Sequence, residues 1–191
     1  MKHEVLAPKA GGFHAVKFYE DSGSLCRLIA DFLGEGFVGQ QPAIVIARPA
    51  HVAEIEGELH ARGFDVPRLK SGRDLFVADA ERTLAQFMVD GMPEKARFES
   101  AVVPLIENAC SGRDACVIRA YGEMVDVLWQ AGQTAAAVKL EMLWNELAQT
   151  RDFSLLCGYS MGHFYKDAAI GDVCRHHTHV LSDMKDIASV Q

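Results

Sequence analysis

The sequence predicts an α/β protein in which helices flank a mostly parallel sheet. Apolar runs of about five to seven residues alternate with helical patterns of about 10 to 16 residues, which is typical of successive βαβ units. The run Ala43–Ala47 is apolar throughout, as expected for a strand buried on both faces of a parallel sheet. No linker or internal repeat divides the 191 residues, which suffice for one domain with a full core.

Five strands are predicted from the apolar runs. They are Phe13–Tyr19, Ala43–Ala47, Leu75–Ala78, Ala115–Tyr121 and Phe153–Tyr159. The spacing of apolar side chains predicts seven helices, over about 22–33, Ala50–Arg62, Arg82–Val89, Glu94–Ala109, Met124–Gln130, Thr134–Gln149 and Tyr165–His177. Asp21 or Ser22 is the expected cap of the first helix, and Gly34 or Gly36 its end. Pro104 should kink or split the fourth helix.

The composition is that of an ordinary globular protein. Hydrophobic residues make up 49% and charged residues 24% of the chain, which excludes intrinsic disorder and low-complexity architecture. The formal net charge is −7, from 19 basic and 26 acidic residues. This acidic balance argues against direct binding of nucleic acid, which needs an excess of Lys and Arg on one face.

The chain ends and the cysteines predict a cytoplasmic protein. Residues 1–12 lack the apolar stretch of a secretory signal and are expected to be a flexible leader before a single domain over 13–181 and a tail over 182–191. No apolar run approaches the roughly 18 residues of a membrane span, so no membrane association is expected. The five cysteines include no Cys-x-x-Cys pair, and four lie in apolar or helical stretches, which is typical of free thiols in a reducing compartment.

The turn after the first strand lacks the features of a phosphate-binding loop. Such a loop needs a Gly-Lys pair within G-x-x-x-x-G-K-[ST], and the chain contains no Gly-Lys dipeptide. The turn reads Tyr19-Glu-Asp-Ser-Gly23, which places two carboxylates where phosphates would lie. The sequence therefore predicts no ATPase or kinase activity and no binding of ATP or GTP.

The segment Gly158-Tyr-Ser160-Met-Gly162 matches the G-x-S-x-G turn of serine hydrolases and follows a predicted strand, as that turn requires. A hydrolase also needs an acid and a histidine on later strand-end loops. Only 29 residues, 163–191, follow this segment, and no further strand is predicted among them. A small serine hydrolase using Ser160 is kept as an alternative function.

Cys174, His176, His177 and His179 have the residue types of metal ligands. On a helix, His176 shares a face with His179, and Cys174 shares one with His177, but two ligands do not complete a site. His14 on the first strand is the candidate distant partner. The alternative is that these histidines simply lie near a helix C-terminus, where the helix dipole favours them. No metal and no other cofactor is assigned, and metal binding by this cluster is left open.

Glu141 and Asn145 are polar residues beside the apolar stripe of the sixth predicted helix. Their i, i+4 spacing places both on one face of that helix. A polar residue in this position often has a defined partner, and structural hydrogen bonding is the favoured interpretation.

A ligand site is predicted from the strand ends, because open parallel sheets bind ligands outside the carboxyl ends of their strands. The predicted ends carry an unusually polar and aromatic set: Tyr19, Glu20, Arg48, Asp79, Tyr121, Glu123, Tyr159 and Ser160. The alternative is that Glu20, Asp79 and Glu123 only cap the helices that follow.

One pocket at this edge is expected if the first and fourth strands are neighbours. The expected lining is Tyr19, Glu20, Tyr121 and Glu123, supported by His14 and Arg119 from the strands. Two close carboxylates repel, so either one keeps a proton or a cation such as Arg48 or Arg119 lies between them. Strand alternation places Arg119 and Tyr121 on the same face.

Several segments of the chain resemble one known family. They are His14–Asp21, Arg119–Val125, Leu140–Leu147, Phe153–Tyr159 and the closing segment Val173–Val180. In this order they resemble the motifs of the MEDS domain, a sensory domain of methanogens and methylotrophs named partly for a dichloromethane-responsive repressor. The resemblance covers about Phe13 to Leu181, which is nearly the whole chain.

The resemblance implies a three-layer, RecA-like α/β fold without a phosphate-binding loop, and a sensing role. It also implies a signalling partner such as a transcriptional regulator or a histidine kinase. The expectation is a non-enzymatic sensory domain that binds a small organic ligand or a partner protein and acts as a homodimer. A serine hydrolase and a pure protein-interaction module are the alternatives.

Overall fold

In the part of the chain that the structure describes, six parallel strands form the central sheet. A computed structural model describes residues 13–163 and 170–181, so the expected leader over 1–12 and tail over 182–191 lie outside the described residues. In chain order the strands are β1 (His14–Tyr19), β2 (Ala43–Ala47), β3 (Leu75–Asp79), β4 (Met88–Val89), β5 (Met92–Pro93), β6 (Ile118–Gly122), β7 (Phe153–Ser160) and β8 (His179–Leu181). The sheet order is β3-β2-β6-β7-β1-β8, and β4 pairs with β5 in a separate antiparallel hairpin.

Helices cover both faces of this sheet. They are α1 (Ser22–Val38), α2 (Pro49–Ala61), α3 (Val66–Ser71), α4 (Ala80–Ala85), α5 (Lys95–Cys110), α6 (Met124–Gln130), α7 (Thr134–Ala148) and α8 (Ile170–Arg175). One buried core joins α1, α2 and α3 to the sheet, and a second core joins α4 to α8 to its other face. The predicted α/β fold with three layers and a parallel sheet is therefore confirmed.

The five predicted strands are all present, but the sequence analysis missed several short elements. Helix α3, the β4–β5 hairpin and strand β8 were not predicted. The helix predicted over Arg82–Val89 instead begins at Ala80 and ends at Ala85. The chain then turns at Asp90 and Gly91, which both adopt positive φ. Of the helix predicted over Tyr165–His177, the described part is Ile170–Arg175.

Helix α5 continues through Pro104 as one helix, so the predicted split does not occur. Phe98 and Val102 precede the proline, Ile106 and Ala109 follow it, and all four are buried in the same core. Burial of both halves against the same layer offsets the hydrogen bond that the proline lacks.

The first and fourth predicted strands are not neighbours, so the condition for a single pocket lined by both strand ends is not met. Strand β7 lies between β1 and β6 and pairs in parallel with both. The carboxyl ends of β1 and β6 are therefore separated by one strand, and groups that meet there must reach across the end of β7.

Cys110 and Cys116 form a disulfide between the end of α5 and the approach to β6. The expectation of free thiols is wrong for this pair, whereas Cys26, Cys157 and Cys174 are free. The cysteines consequently give no support to a cytoplasmic location. Among the described helices, none combines the length and the apolar character needed to cross a membrane.

Candidate functional site

Glu123 lies directly after β6 with a fully buried side chain. It occupies the N-cap position of α6, yet its carboxylate makes no capping hydrogen bond, so the capping alternative is wrong for this residue. Glu123 Oε1 accepts from the backbone N–H of Arg48 at 2.6 Å. Its Oε2 lies 2.6 Å from His51 Nδ1 and accepts from the Tyr121 hydroxyl at 3.3 Å. The carboxylate thus joins the start of α2 to the end of β6.

A second buried carboxylate, Asp126, lies in the first turn of α6 and is also fully buried. Its Oδ1 accepts from the backbone N–H of Ser160 at 2.9 Å, and its Oδ2 accepts from the side-chain amide of Gln130 at 2.6 Å. The Tyr19 hydroxyl donates to Oδ2 at 3.4 Å. Asp126 therefore links α6 to the carboxyl ends of β1 and β7.

Arg48 lies between the two carboxylates. Its Nη1 is 3.0 Å from Asp126 Oδ2 and 3.4 Å from Glu123 Oε1, and its side chain is 23% exposed. The sequence predicts either a retained proton or a cation such as Arg48 or Arg119 between Glu20 and Glu123. Arg48 instead lies between Glu123 and Asp126, and Glu20 is exposed.

We name these residues the carboxyl-edge cluster: Tyr19, Arg48, His51, Tyr121, Glu123 and Asp126. Burial raises the pKa of Asp126, although the Ser160 N–H and Arg48 oppose this rise. The hydrogen bond to Glu123 raises the pKa of His51. Burial and the charge of Glu123 raise the pKa of Tyr121, so this phenol stays neutral and donates. The cluster therefore holds polar and charged groups with shifted pKa values at the edge where such sheets bind ligands.

Arg119 shares a face with Tyr121, as strand alternation predicts, but it belongs to the other end of β6. Its guanidinium donates to Phe32 O at 2.8 Å and lies 3.1 Å from both Glu35 Oε2 and Gln41 Oε1. These partners come from the end of α1 and the segment after it, so the structure does not bring Arg119 to the carboxyl-edge cluster.

His14 and Tyr159 belong to a second buried group on the α7 face of the sheet. We name it the Glu141 cluster: His14, Glu141, Cys157, Tyr159 and His177. The Tyr159 hydroxyl donates to Glu141 Oε1 at 2.7 Å. His14 Nε2 lies 3.2 Å from Glu141 Oε2, and His177 Nε2 lies 3.3 Å from Glu141 Oε1. The defined partners expected for Glu141 are therefore present.

The Glu141 cluster is closed to solvent. Glu141 and the His177 side chain are 0% exposed, and Cys157 is fully buried. Burial alone would raise the pKa of Glu141, but the two histidines beside it, His14 and His177, outweigh burial and hold this pKa well below its usual value. His14 was the expected distant partner of the C-terminal histidines, and the structure places it beside His177, with ring centroids 4.2 Å apart.

An aromatic-walled cavity of about 540 Å³ opens beside this cluster. Phe13, Trp144 and Phe153 form its apolar walls, and His14 and Asn145 supply polar groups. Because His14 and Phe153 begin β1 and β7, this cavity lies at the amino edge of the sheet. It is thus at the opposite edge from the pocket that the strand ends predicted.

Asp79 and Ser160 occupy strand ends but have other surroundings. Asp79 caps α4 by accepting from Arg82 N at 2.8 Å, so the capping alternative is correct for this residue. Within the part of the chain that the structure describes, no histidine hydrogen-bonds the Ser160 hydroxyl. Strand β8 does follow Ser160 in the chain. On β1, however, Ser160 pairs with Tyr19, whereas His179 of β8 pairs with Ala15, four residues earlier. The β8 histidine therefore lies at the opposite end of the sheet from Ser160.

Sequence reasoning missed His51 and Asp126 as members of the carboxyl-edge cluster. His51 follows Arg48 by three residues, and Asp126 follows Glu123 by three. On a helix this spacing keeps two residues on one face, and it is the signal from which both positions follow. Neither residue lies at a strand end, because their side chains belong to the first turns of α2 and α6.

Comparison with known proteins identifies the family. The family model of the MEDS domain matches residues 13–178. Its description is "MEthanogen/methylotroph, DcmR Sensory domain". No curated protein matches the chain. The matched range covers most of the sequence and contains both buried clusters. The chain therefore belongs to the MEDS family of sensory domains.

Proposed function

We propose that this chain is a non-enzymatic sensory domain whose carboxyl-edge cluster receives a small organic ligand and relays its binding to a signalling partner. Membership in a family of sensory domains supports the sensory role. The proposal adds the place of the input, its ligand class and the route by which binding changes the protein surface.

The observation that carries the proposal is the burial of two carboxylates around one guanidinium at the carboxyl edge. Glu123 and Asp126 are both fully buried, and removing such charges from water costs several kcal/mol per ion, which attraction to Arg48 and the hydrogen bonds described above oppose. Capping of α6 does not account for this arrangement, because Glu123 makes no capping bond. A binding site accounts for both the charges and their position.

The cluster also offers a route for the signal. Arg48 begins α2 at its N-cap, whereas Glu123 and Asp126 begin α6. A ligand hydroxyl, amine or carboxylate that reaches the partly exposed Arg48 competes for the hydrogen bonds joining these two helices. Binding would thereby shift α2 relative to α6 and alter the outer helical surface that a regulator or kinase contacts.

Ligand titration followed by ¹H–¹⁵N NMR tests this proposal. The probes are a panel of small alcohols, amines, carboxylic acids and halogenated alkanes, and the reporters are the side-chain N–H signals of Arg48 and His51. We expect at least one compound class to shift these signals in the wild-type protein and to leave them unchanged in Glu123→Gln.

Ala148→Leu is the matched control, because it fills the aromatic cavity at the opposite edge without touching the cluster. This variant should respond as the wild type does. A response that survives Glu123→Gln and disappears in Ala148→Leu would move the ligand site to the cavity. The absence of any response to the panel would favour a pure interaction module.

A further inference from the structure

We propose that His14, Glu141, Cys157 and His177 bind one divalent transition-metal ion of the zinc class. This site is separate from the carboxyl-edge cluster and independent of the proposed sensory function. Its four donors come from β1, α7, β7 and the segment between α8 and β8, and their ligand atoms all lie within 4.8 Å of one another.

The spacing of the donor atoms fits a tetrahedral ion. Bonds of about 2.0–2.3 Å at tetrahedral angles separate nitrogen, oxygen and sulfur donors by about 3.3–3.6 Å. His14 Nε2 lies 3.2 Å from Glu141 Oε2 and 3.3 Å from Cys157 Sγ. Cys157 Sγ is 3.7 Å from the same Glu141 oxygen. Three donors are therefore already placed at the separations that one small ion imposes.

Hydrogen bonds outside the cluster fix both imidazoles in the form that binds metals. Asn145 donates its amide N–H to His176 O at 2.9 Å, which turns its Oδ1 toward His14 Nδ1, also at 2.9 Å. His177 Nδ1 lies 2.8 Å from Val173 O, a carbonyl that only accepts. Both Nδ1 atoms must donate, so both Nε2 atoms face the cluster and are the ring nitrogens available to a metal ion. A second hydrogen bond of this kind is the usual support of a metal-binding histidine.

Both Nε2 atoms face the same carboxylate. His177 Nε2 is buried 3.3 Å from Glu141 Oε1 and, among the described residues, makes no hydrogen bond of good geometry. The two imidazoles lie side by side, with ring centroids 4.2 Å apart, as two ligands of one ion do. One divalent ion would use both Nε2 lone pairs and balance the charges of the Glu141 carboxylate and a Cys157 thiolate.

The donor set indicates the type of ion and its role. Two imidazoles, one thiolate and one carboxylate suit zinc better than magnesium or calcium, which prefer oxygen ligands. Four protein ligands in a buried site leave no open position for substrate, which is typical of structural zinc. The ion would fasten the α8–β8 segment, through His177, to β1, β7 and α7.

Titration of the metal-free protein with Co²⁺ tests this proposal. We expect one equivalent to bind with the intense visible bands of four-coordinate cobalt and a sulfur-to-cobalt charge-transfer band, and Zn²⁺ to displace it. Cys157→Ser should abolish the charge-transfer band. His177→Gln should weaken binding by about tenfold or more.

His176→Gln is the control, because His176 adjoins His177 in the chain while its ring lies outside the donor set. This variant should bind Co²⁺ as the wild type does. Circular dichroism shows whether each variant folds. A measurement on the wild type alone does not require any variant to fold. Zn²⁺ should raise the melting temperature of the wild-type protein, and a chelator should lower it again. Unchanged Co²⁺ affinity in His177→Gln, weak six-coordinate bands, or no effect of Zn²⁺ on wild-type melting would overturn the proposal.

Discussion

His51 connects the carboxyl-edge cluster to the pH of the solution. Its Nδ1 lies 2.6 Å from Glu123 Oε2, and its side chain is 15% exposed. The hydrogen bond to Glu123 is the largest cause of the raised pKa of His51, and it outweighs the opposing effect of burial. At this residue the stability of the fold and the charge of the cluster are therefore coupled.

We expect the stabilisation from the His51–Glu123 pair to decrease as the pH rises. Because the pKa of His51 is higher in the folded than in the unfolded protein, the stabilisation is complete below the unfolded pKa of about 6.5 and disappears as the pH passes the folded pKa. Urea unfolding of the wild type and His51→Gln across this range measures the difference. The gap in free energy of unfolding between the two proteins should narrow with rising pH.

His60→Gln is the comparison for this experiment, since His60 is exposed on the same helix. This variant keeps the His51–Glu123 pair and should therefore retain the pH dependence that His51→Gln loses. A gap between wild type and His51→Gln that is constant across the pH range would show that His51 gains no proton affinity on folding.

Strand β7 determines where Tyr121 of the neighbouring β6 places its hydroxyl. A Cβ atom added at Gly158 would lie 2.8 Å from the Tyr121 hydroxyl oxygen and 3.4 Å from the Tyr121 ring. Real side chains do not approach this closely, so only glycine at this position leaves room for the phenol. The same phenol donates to Glu123, and Gly158 thus supports the carboxyl-edge cluster from an adjacent element.

Gly158→Ala should lower the free energy of unfolding by about 1–3 kcal/mol, because Tyr121 is fully buried and its ring must shift to relieve the contact. The shift should also displace the NMR signals of His51 and Arg48. Gly122→Ala on β6 is the matched control, since its added Cβ would meet only Leu155 at an ordinary 3.9 Å. Equal stability of the two variants in urea unfolding would contradict this account of β7.

Local sequence patterns predicted the long elements and missed the short ones. Uniform apolar runs such as Ala43–Ala47 identify buried strands directly, because both faces of a parallel sheet must be covered. Strand β8 has three residues, none of them fully buried, and therefore carries no such pattern. The apolar residues Phe87 to Val89 continue the spacing of α4, but the chain turns at Asp90 and Gly91, and Met88 and Val89 form the first strand of a hairpin.

Half of the predicted site residues meet in the carboxyl-edge cluster. They could be predicted because the end of a strand can be recognised from the neighbouring residues in the sequence. Tyr19, Arg48, Tyr121 and Glu123 follow from the strand boundaries alone. The surroundings of His14 and Tyr159 depend on which side of the sheet each residue faces and on where α7 packs. Both are set by contacts between residues far apart in the sequence. Their shared partner Glu141 lies more than 15 residues from either one in the chain.

At the scale of the whole molecule, ligand binding must be passed on through a surface that contacts another chain. We therefore expect the domain to form a dimer. Strand β3 is one edge of the described sheet, and Val77 in its centre is 39% exposed. An exposed apolar edge strand is a template for pairing with a second copy, and two-fold dimers are the commonest assembly of soluble chains.

Sedimentation equilibrium tests this expectation with two valine variants. The wild type should show a dimer that dissociates on dilution. Val77→Lys should be monomeric, because lysine on an edge strand opposes pairing. Val38→Lys should remain dimeric, since Val38 is 80% exposed at the end of α1 and does not belong to the edge strand. A monomer mass that does not change with concentration in the wild type would refute the dimer.

Native mass spectrometry of the protein purified from its own host tests the proposed sensory site most directly. We predict that the wild-type protein and Ala148→Leu carry a bound organic molecule and that Glu123→Gln lacks it while remaining folded. An adduct of metal mass alone reports only on the Glu141 cluster. An organic adduct retained in Glu123→Gln, or absent from the wild type, would contradict ligand binding at the carboxyl-edge cluster.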